Sequence, residues 1–204
     1  MDKLIAGYRR FRQSRWLEQK ALYEALAAGQ RPRMLIIACS DSRVDPATIF
    51  DVAPGEIFIV RNVANLVPPC AQDEGLHGTS AAIEFAVQEL GVRTILVLGH
   101  ARCGGIAAAL NPQAGCRTGF VASWIKLLDA PLARVQSLSC EPVVAQETLE
   151  REAIRESLRR LETFPFVAQW RAAGALELVG ARFDILTGHL EVLDHFNSAF
   201  EPVQ

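Results

Sequence analysis

The sequence has no continuous apolar run of about 18 residues, so it offers no transmembrane helix. It has no basic block either. Its 21 Lys and Arg are interspersed with 23 Asp and Glu, the formal net charge is −2, and no stretch would neutralise a row of phosphates. The pattern therefore predicts no membrane and no nucleic acid as partner. The opening stretch, Met1 to Trp16, spreads its arginines through the segment and has no apolar signal core or small-residue cleavage site, which predicts a soluble, cytoplasmic protein. Repeats, low-complexity tracts and linkers are missing, and Gly99 to Gly105 lacks the Lys-Ser or Lys-Thr of a phosphate loop, so no nucleotide is expected. Cysteine is scarce and odd in number, five in all. Without an export signal that favours free thiols or metal ligands over a disulfide framework.

What is present is a chain of 204 residues, 50% of them hydrophobic. That is enough for one sizeable α/β domain over 1–204 and too little for two. Residues 4–28 read as a helix stopped by Gly29-Gln30 and Pro32, making 1–30 a helical arm suited to packing on a partner subunit. Met34 to Ala38, Glu56 to Val60 and Thr94 to Leu98 are short continuous apolar runs, the signature of strands buried on both faces. Thr79 to Leu90 has helical spacing at Ile83, Ala86, Val87 and Leu90, with Thr79 or Ser80 as cap. Ile106 to Leu110 continues as helix, Asn111 to Val121 reads as loop, and Ile154, Leu158 and Leu161 make one stripe of a surface helix. The Arg and Glu from Arg151 to Arg160 read as its solvated face. Ala175 to Ala181 and Phe183 to Leu186 read as two strands, with Thr187-Gly188 turning into Leu190 to Leu193. Alternating strands and helices predict a mostly parallel central sheet flanked by helices.

Two of the buried strands run into potential metal ligands. One leads to Cys39-Ser40-Asp41-Ser42-Arg43, the other to His100-Ala101-Arg102-Cys103. In open α/β sheets ligands bind beyond the carboxyl ends of the strands, so parallel neighbours would bring Cys39 and His100 to one edge. Cys103 follows where a helix begins, and a helix N-terminus favours the thiolate. Two sulfurs and one nitrogen suit zinc, and three protein ligands leave a fourth tetrahedral position open, as in catalytic sites. Asp41 and Arg43 add a carboxylate with a guanidinium partner beside it. Neither Cys39 nor Cys103 belongs to a Cys-x-x-Cys pair, which argues against a thiol redox protein.

The segments Cys39 to Val44, Pro54-Gly55-Glu56, Arg61 to Asn65, Gly99 to Gly105, Thr163 to Val167 and Phe183-Asp184-Ile185 together resemble the β-carbonic anhydrases, in their order and over nearly the whole chain. The resemblance implies reversible hydration of carbon dioxide, one zinc held by Cys39, His100 and Cys103, and Asp41 accepting a hydrogen bond from the attacking hydroxide while Arg43 keeps it off the metal. It also implies Gln30, Phe58, Val63, Phe85 and Gly104 around the substrate, in a pocket shared across a homodimer or dimer-based assembly. By position, Gln30, Phe58 and Val63 are similar to the plant-like subgroup, whereas Phe85 stands where plant enzymes carry tyrosine. Ile36 replaces the tryptophan of a bicarbonate-regulated subgroup, so no such switch is expected. Carbonyl sulfide or carbon disulfide hydrolysis on the same fold, and a non-catalytic zinc-holding scaffold, are the alternatives. Cys70, Cys116 and Cys140 read as incidental thiols, His189 and His195 as surface residues, and His77 as a solvent-facing loop histidine within reach of the pocket.

Overall fold

A computed structural model describes residues 1–71, 73, 75–111, 118–194, 196 and 198–203. Three helices open the chain: α1 (Asp2–Gln13), α2 (Arg15–Glu18) and α3 (Lys20–Leu26). The body then alternates: β1 (Met34–Cys39), α4 (Pro46–Ile49), β2 (Ile57–Asn62), α5 (Gly78–Glu84), β3 (Thr94–His100), α6 (Gly104–Leu110) and α7 (Gly119–Ile125). It continues through α8 (Asp129–Gln136), α9 (Pro142–Leu161) and α10 (Pro165–Ala172) to β4 (Glu177–Phe183), β5 (Leu190–Leu193) and β6 (Phe200–Pro202).

The six strands form one sheet in the order β2-β1-β3-β4-β5-β6. The first four run parallel and the last two antiparallel, as expected of a mostly parallel sheet. After β1 the chain adds β2 on one side, then crosses back to add β3 on the other. That reversal leaves a crevice at the carboxyl ends of β1 and β3, where loops leave in opposite directions. Cys39 ends β1 and His100 ends β3.

Alternation along the strands sets the two faces. Leu35, Ile37, Ile95 and Val97 pack with Ile83, Val87, Ile154 and Leu161 in one buried cluster. Ile36, Ala38, Leu96 and Leu98 face the other way, against Ile49 and Phe50. Helix α9 lies closest to the sheet, because two glycines let it. A Cβ at Gly99 would fall 2.8 Å from Ile154 Cδ1, and one at Gly180 would fall 2.7 Å from Ile154 Cγ2. This close seat brings the preceding turn of α9 over the end of β3.

The structure departs from the sequence reading in several places. The arm is three short helices rather than one, turning at Ser14 and Gln19, and none of its helical residues is buried. Thr79 and Ser80 lie inside α5, which starts at Gly78 after His77 without a side-chain cap and passes into a π-helical turn, Phe85–Glu89. The segment read as a loop up to Val121 already contains the start of α7. Phe183 to Leu186 is not a second strand: Asp184 Oδ1 accepts from the backbone N–H groups of Leu186 and Thr187, closing a turn instead. A carboxylate that can bond its own following amides competes with strand pairing.

Candidate metal centre

The loop after β1 is held by Arg61, from β2. Its Nε donates to the Cys39 carbonyl at 2.9 Å, and its Nη2 to the carbonyls of Asp41 and Val44 at 2.6 Å each. The loop after β3 is held at three consecutive residues. Ala101 N donates to Phe183 O at 2.9 Å, Arg43 Nη2 to Arg102 O at 3.1 Å, and Cys103 N to Glu150 Oε1 at 3.3 Å. These contacts sustain a left-handed backbone at Arg102, with φ 57°. Non-glycine residues persist there only where their surroundings over-determine them.

The result brings Cys39 Sγ, a His100 ring nitrogen and Cys103 Sγ together within 4.8 Å of one another. The two sulfurs are 3.8 Å apart. Two sulfurs each about 2.3 Å from a tetrahedral zinc would stand about 3.8 Å apart, so the pair is spaced for that ion. His100 Nδ1 is 2.9 Å from the Ala101 carbonyl, which fixes it as the protonated nitrogen. Nε2 then presents a lone pair, and it is buried with no hydrogen-bond partner. Buried polar atoms are rarely left unpaired. A soft cation at this point satisfies Nε2 and both sulfurs at once.

Electrostatics agree with this geometry. Hydrogen bonding from the Cys103 thiol, against the opposing effect of burial, lowers the Cys39 thiol from 9.0 to about 4. The same hydrogen bond, with burial added, pushes Cys103 upward. Without metal the two sulfurs therefore share one proton at neutral pH. Burial opposes a charged His100, but the nearby Cys39 thiolate and Asp41 carboxylate outweigh it and raise the imidazole above its ordinary value.

Asp41 sits beside the three ligands. Arg43 clamps it: the backbone N and Nε donate to Oδ1 at 3.0 and 2.9 Å, and Nη2 donates to Oδ2 at 2.6 Å. The guanidinium bonds hold this carboxyl well below the usual carboxylate range, so it is ionised at any working pH. Oδ2 lies 3.8 Å from His100 Nε2, aimed at the ligand cluster.

The other predicted pocket residues divide in two. Val63 and Gly104 lie by the cluster: Val63 follows β2 and its Cγ1 would be 2.8 Å from a Cβ at Gly105, and Gly104 directly follows Cys103. Gln30, Phe58 and Phe85 are not brought to it within one chain. In the register, Phe58 faces Leu35, four residues before the Cys39–Asn62 step, or about 13 Å along the strand. Phe85 stacks on Phe58 at 5.9 Å, and Gln30 is exposed at the end of the arm.

His77, partly exposed before α5, pairs with Asp73 at 2.6 Å and lines an apolar groove of about 590 Å³ with Val63, Leu76, Phe120 and Trp124, the pocket contact that the sequence reading put within its reach. Other features escaped that reading. Trp124 Nε1 donates to Val63 O at 2.8 Å, tying the groove to the loop after β2. The α9 face is only partly solvated. Arg160 donates to Val67 O and Leu127 O at 3.1 and 2.7 Å, and Glu150 is buried in an ion pair with Arg182 at 2.9 Å. The signal for Glu150 was its place on the apolar stripe, four residues before Ile154. Cys70 and Cys140 are free and half-buried, and His189 is exposed in the turn before β5. Cys116 and His195 lie outside the described residues.

Comparison with known proteins places this geometry. Residues 34–190 match the family model described as carbonic anhydrase. The chain is 33% identical over 199 residues to beta carbonic anhydrase 3 of Arabidopsis thaliana, covering 94% of this chain and 76% of that protein. It is similar in structure to the β-carbonic anhydrase CcaA, with TM-score 0.93 and 32% identity over 100% of this chain and 92% of the other. A tetrameric β-carbonic anhydrase of Sordaria macrospora gives TM-score 0.82 and 29% identity, over 94% and 95% of the two chains. With the family model spanning most of the chain and the ligand cluster assembled at the sheet's switch point, the chain belongs to the carbonic anhydrases, in their β class.

Proposed function

We propose that this chain hydrates carbon dioxide to bicarbonate and a proton, reversibly, at the site formed by Cys39, His100, Cys103 and Asp41. The observation that carries this reading is the orphaned His100 Nε2, facing two sulfurs and an ionised carboxylate in one crevice. Zinc held by the three ligands would supply hydroxide near neutral pH by strongly lowering the pKa of a bound water, as is established for carbonic anhydrase.

The protein's own groups do the rest. Cys39 and Cys103 supply two negative charges, and His100 adds a neutral nitrogen fixed by Ala101. Asp41 Oδ2 has lone-pair capacity left beyond Arg43, so it can accept a hydrogen bond from the nucleophile and hold its proton turned away from the electrophilic carbon. Arg43 keeps that oxygen ionised and anchored. Val63 offers an apolar wall for a substrate without charge or dipole. Asp41→Ala removes the orienting acceptor and leaves all three ligands, so kcat/KM should fall on the order of 10²-fold while zinc content stays at wild-type level. Stopped-flow hydration and metal analysis of one preparation check this; a variant with full activity would remove Asp41 from the mechanism.

A homodimer, alone or within a larger assembly, completes the pocket. Gln30, Phe58 and Phe85 stand away from their own chain's cluster, the arm buries none of its helical residues, and Leu76 and Phe120 are exposed on the groove beside Val63. Light scattering behind size exclusion should give a dimer or a multiple of it; a monomer at micromolar concentration would refute the shared pocket. Among the described residues no helix is long and apolar enough to cross a membrane. Two sulfurs 3.8 Å apart stay available to metal only if they are not oxidised, so the reducing cytoplasm suits this site. Recovery in a membrane or secreted fraction would contradict that placement.

A further inference from the structure

Glu150 is buried, 3% exposed, and no step of the hydration uses it. Its Oε1 accepts from Cys103 N at 3.3 Å and from Gln146 Nε2 at 3.2 Å, and its Oε2 accepts from Arg182 Nε at 3.0 Å. Arg182 is also 3% exposed and lies on β4, opposite Gly99 and one step before the His100–Phe183 pair. The carboxylate thus sits directly behind one metal ligand, with its countercharge on the neighbouring strand.

We propose that Glu150, anchored by Arg182, is a positioning residue for Cys103, setting the sulfur's place toward zinc. The proposal rests on Cys39, His100 and Cys103 holding that metal. Three observations support it. Cys103 begins α6 with its side chain turned to Cys39 rather than capping the helix, so its own N–H would be buried and unpaired without Glu150. The preceding residue, Arg102, holds φ 57°, a conformation that relaxes unless both sides are fixed. Stability alone does not call for an ion pair here, since well-packed apolar residues usually serve a buried position equally well or better. A carboxylate that holds a ligand's own backbone, in contrast, fixes the direction of its side chain, and loss of such an outer partner costs about 10–100-fold in metal affinity.

The test uses the full chain carrying Glu150→Leu with Arg182→Met, which removes both charges and strands neither. Zinc affinity is read by competition with a chromophoric chelator, and ligand geometry by the thiolate and d–d absorption bands of the cobalt(II) form. The expected result is a folded protein that holds zinc 10–100-fold more weakly, with shifted cobalt bands. Glu150→Gln, which keeps an acceptor for the Cys103 N–H, should weaken zinc less, and it carries the test if the double variant does not fold. Arg159→Ala breaks an exposed ion pair to Glu156 on the same helix without touching Cys103 or Glu150, and should leave both readouts unchanged. Equal zinc affinity and identical cobalt bands in the Glu150 variants overturn the proposal alone, as does an equal loss in Arg159→Ala. A wild-type chain that takes up no zinc overturns the metal reading, and this proposal with it.

Discussion

Cys103→Ala protein purified in full folds, retains less than about a tenth of the wild-type zinc, and hydrates carbon dioxide at least about 10³-fold more slowly. The expectation follows from how few donors the crevice holds. Among the described residues Cys39, His100 and Cys103 are the only cluster of three that could take a metal. Removing one leaves two, and the nearest substitute, Asp41, is clamped in place by Arg43 and cannot swing in as a third ligand. The mutation also removes the hydrogen bond that lowers the Cys39 thiol to about 4, so the surviving sulfur becomes a poorer ligand at neutral pH. Cys103 itself is pushed upward, by the same bond and then by burial. Metal uptake by the wild type must therefore displace its proton, and affinity for zinc rises with pH through the neutral range. Metal analysis and stopped-flow rates on the same samples decide the matter, with Cys70→Ala as a control at a half-buried thiol away from the cluster. A full equivalent of zinc in Cys103→Ala would contradict the ligand assignment.

Arg182→Ala is expected to cost about 3–5 kcal/mol of stability, because it strands a buried carboxylate rather than because the pair was worth that much. Glu150 keeps only Gln146 Nε2 and the Cys103 amide as donors once Arg182 is gone. Arg182 also approaches Glu191 at 3.6 Å, so a second carboxylate loses its neighbour. For a domain of this size the loss corresponds to a melting point lower by roughly 6–20 °C. Arg171→Ala provides the contrast: its pair with Glu162 is exposed, and such pairs contribute about 0–1 kcal/mol. Urea or thermal unfolding of the two variants measures both. Equal small losses would mean the Glu150 site is wetter than its 3% exposure indicates.

The parts of this architecture that were legible in the sequence are those written in local pattern. Uninterrupted apolar runs marked β1 and β3, and the candidate ligands Cys39 and His100 stand one and two residues beyond them. Turn chemistry was harder. Asp184 reads as a strand residue between Phe183 and Ile185 until its carboxylate is seen capping the amides of Leu186 and Thr187. The arm looked like a continuous helix because it is rich in helix formers, while the bends at Ser14 and Gln19 follow no Gly or Pro signal. Glu150 was hidden by its charge: a Glu between Leu149 and Arg151 reads as exposed, although it shares the stripe of Ile154, Leu158 and Leu161. Only the close seat of α9 over Gly99 and Gly180 turns that stripe, Glu150 included, onto the end of β3. Pocket residues from the resemblance split for a reason no linear reading supplies. Register puts Val63 at the cluster and Phe58 about 13 Å back along β2.

The central claim is tested most directly by stopped-flow hydration of carbon dioxide on wild-type protein of measured zinc content, from mildly acidic to alkaline pH. The predicted result is one zinc per chain and turnover that rises with pH, far above the uncatalysed rate. A protein carrying one zinc per chain that leaves carbon dioxide unhydrated across that range would contradict it.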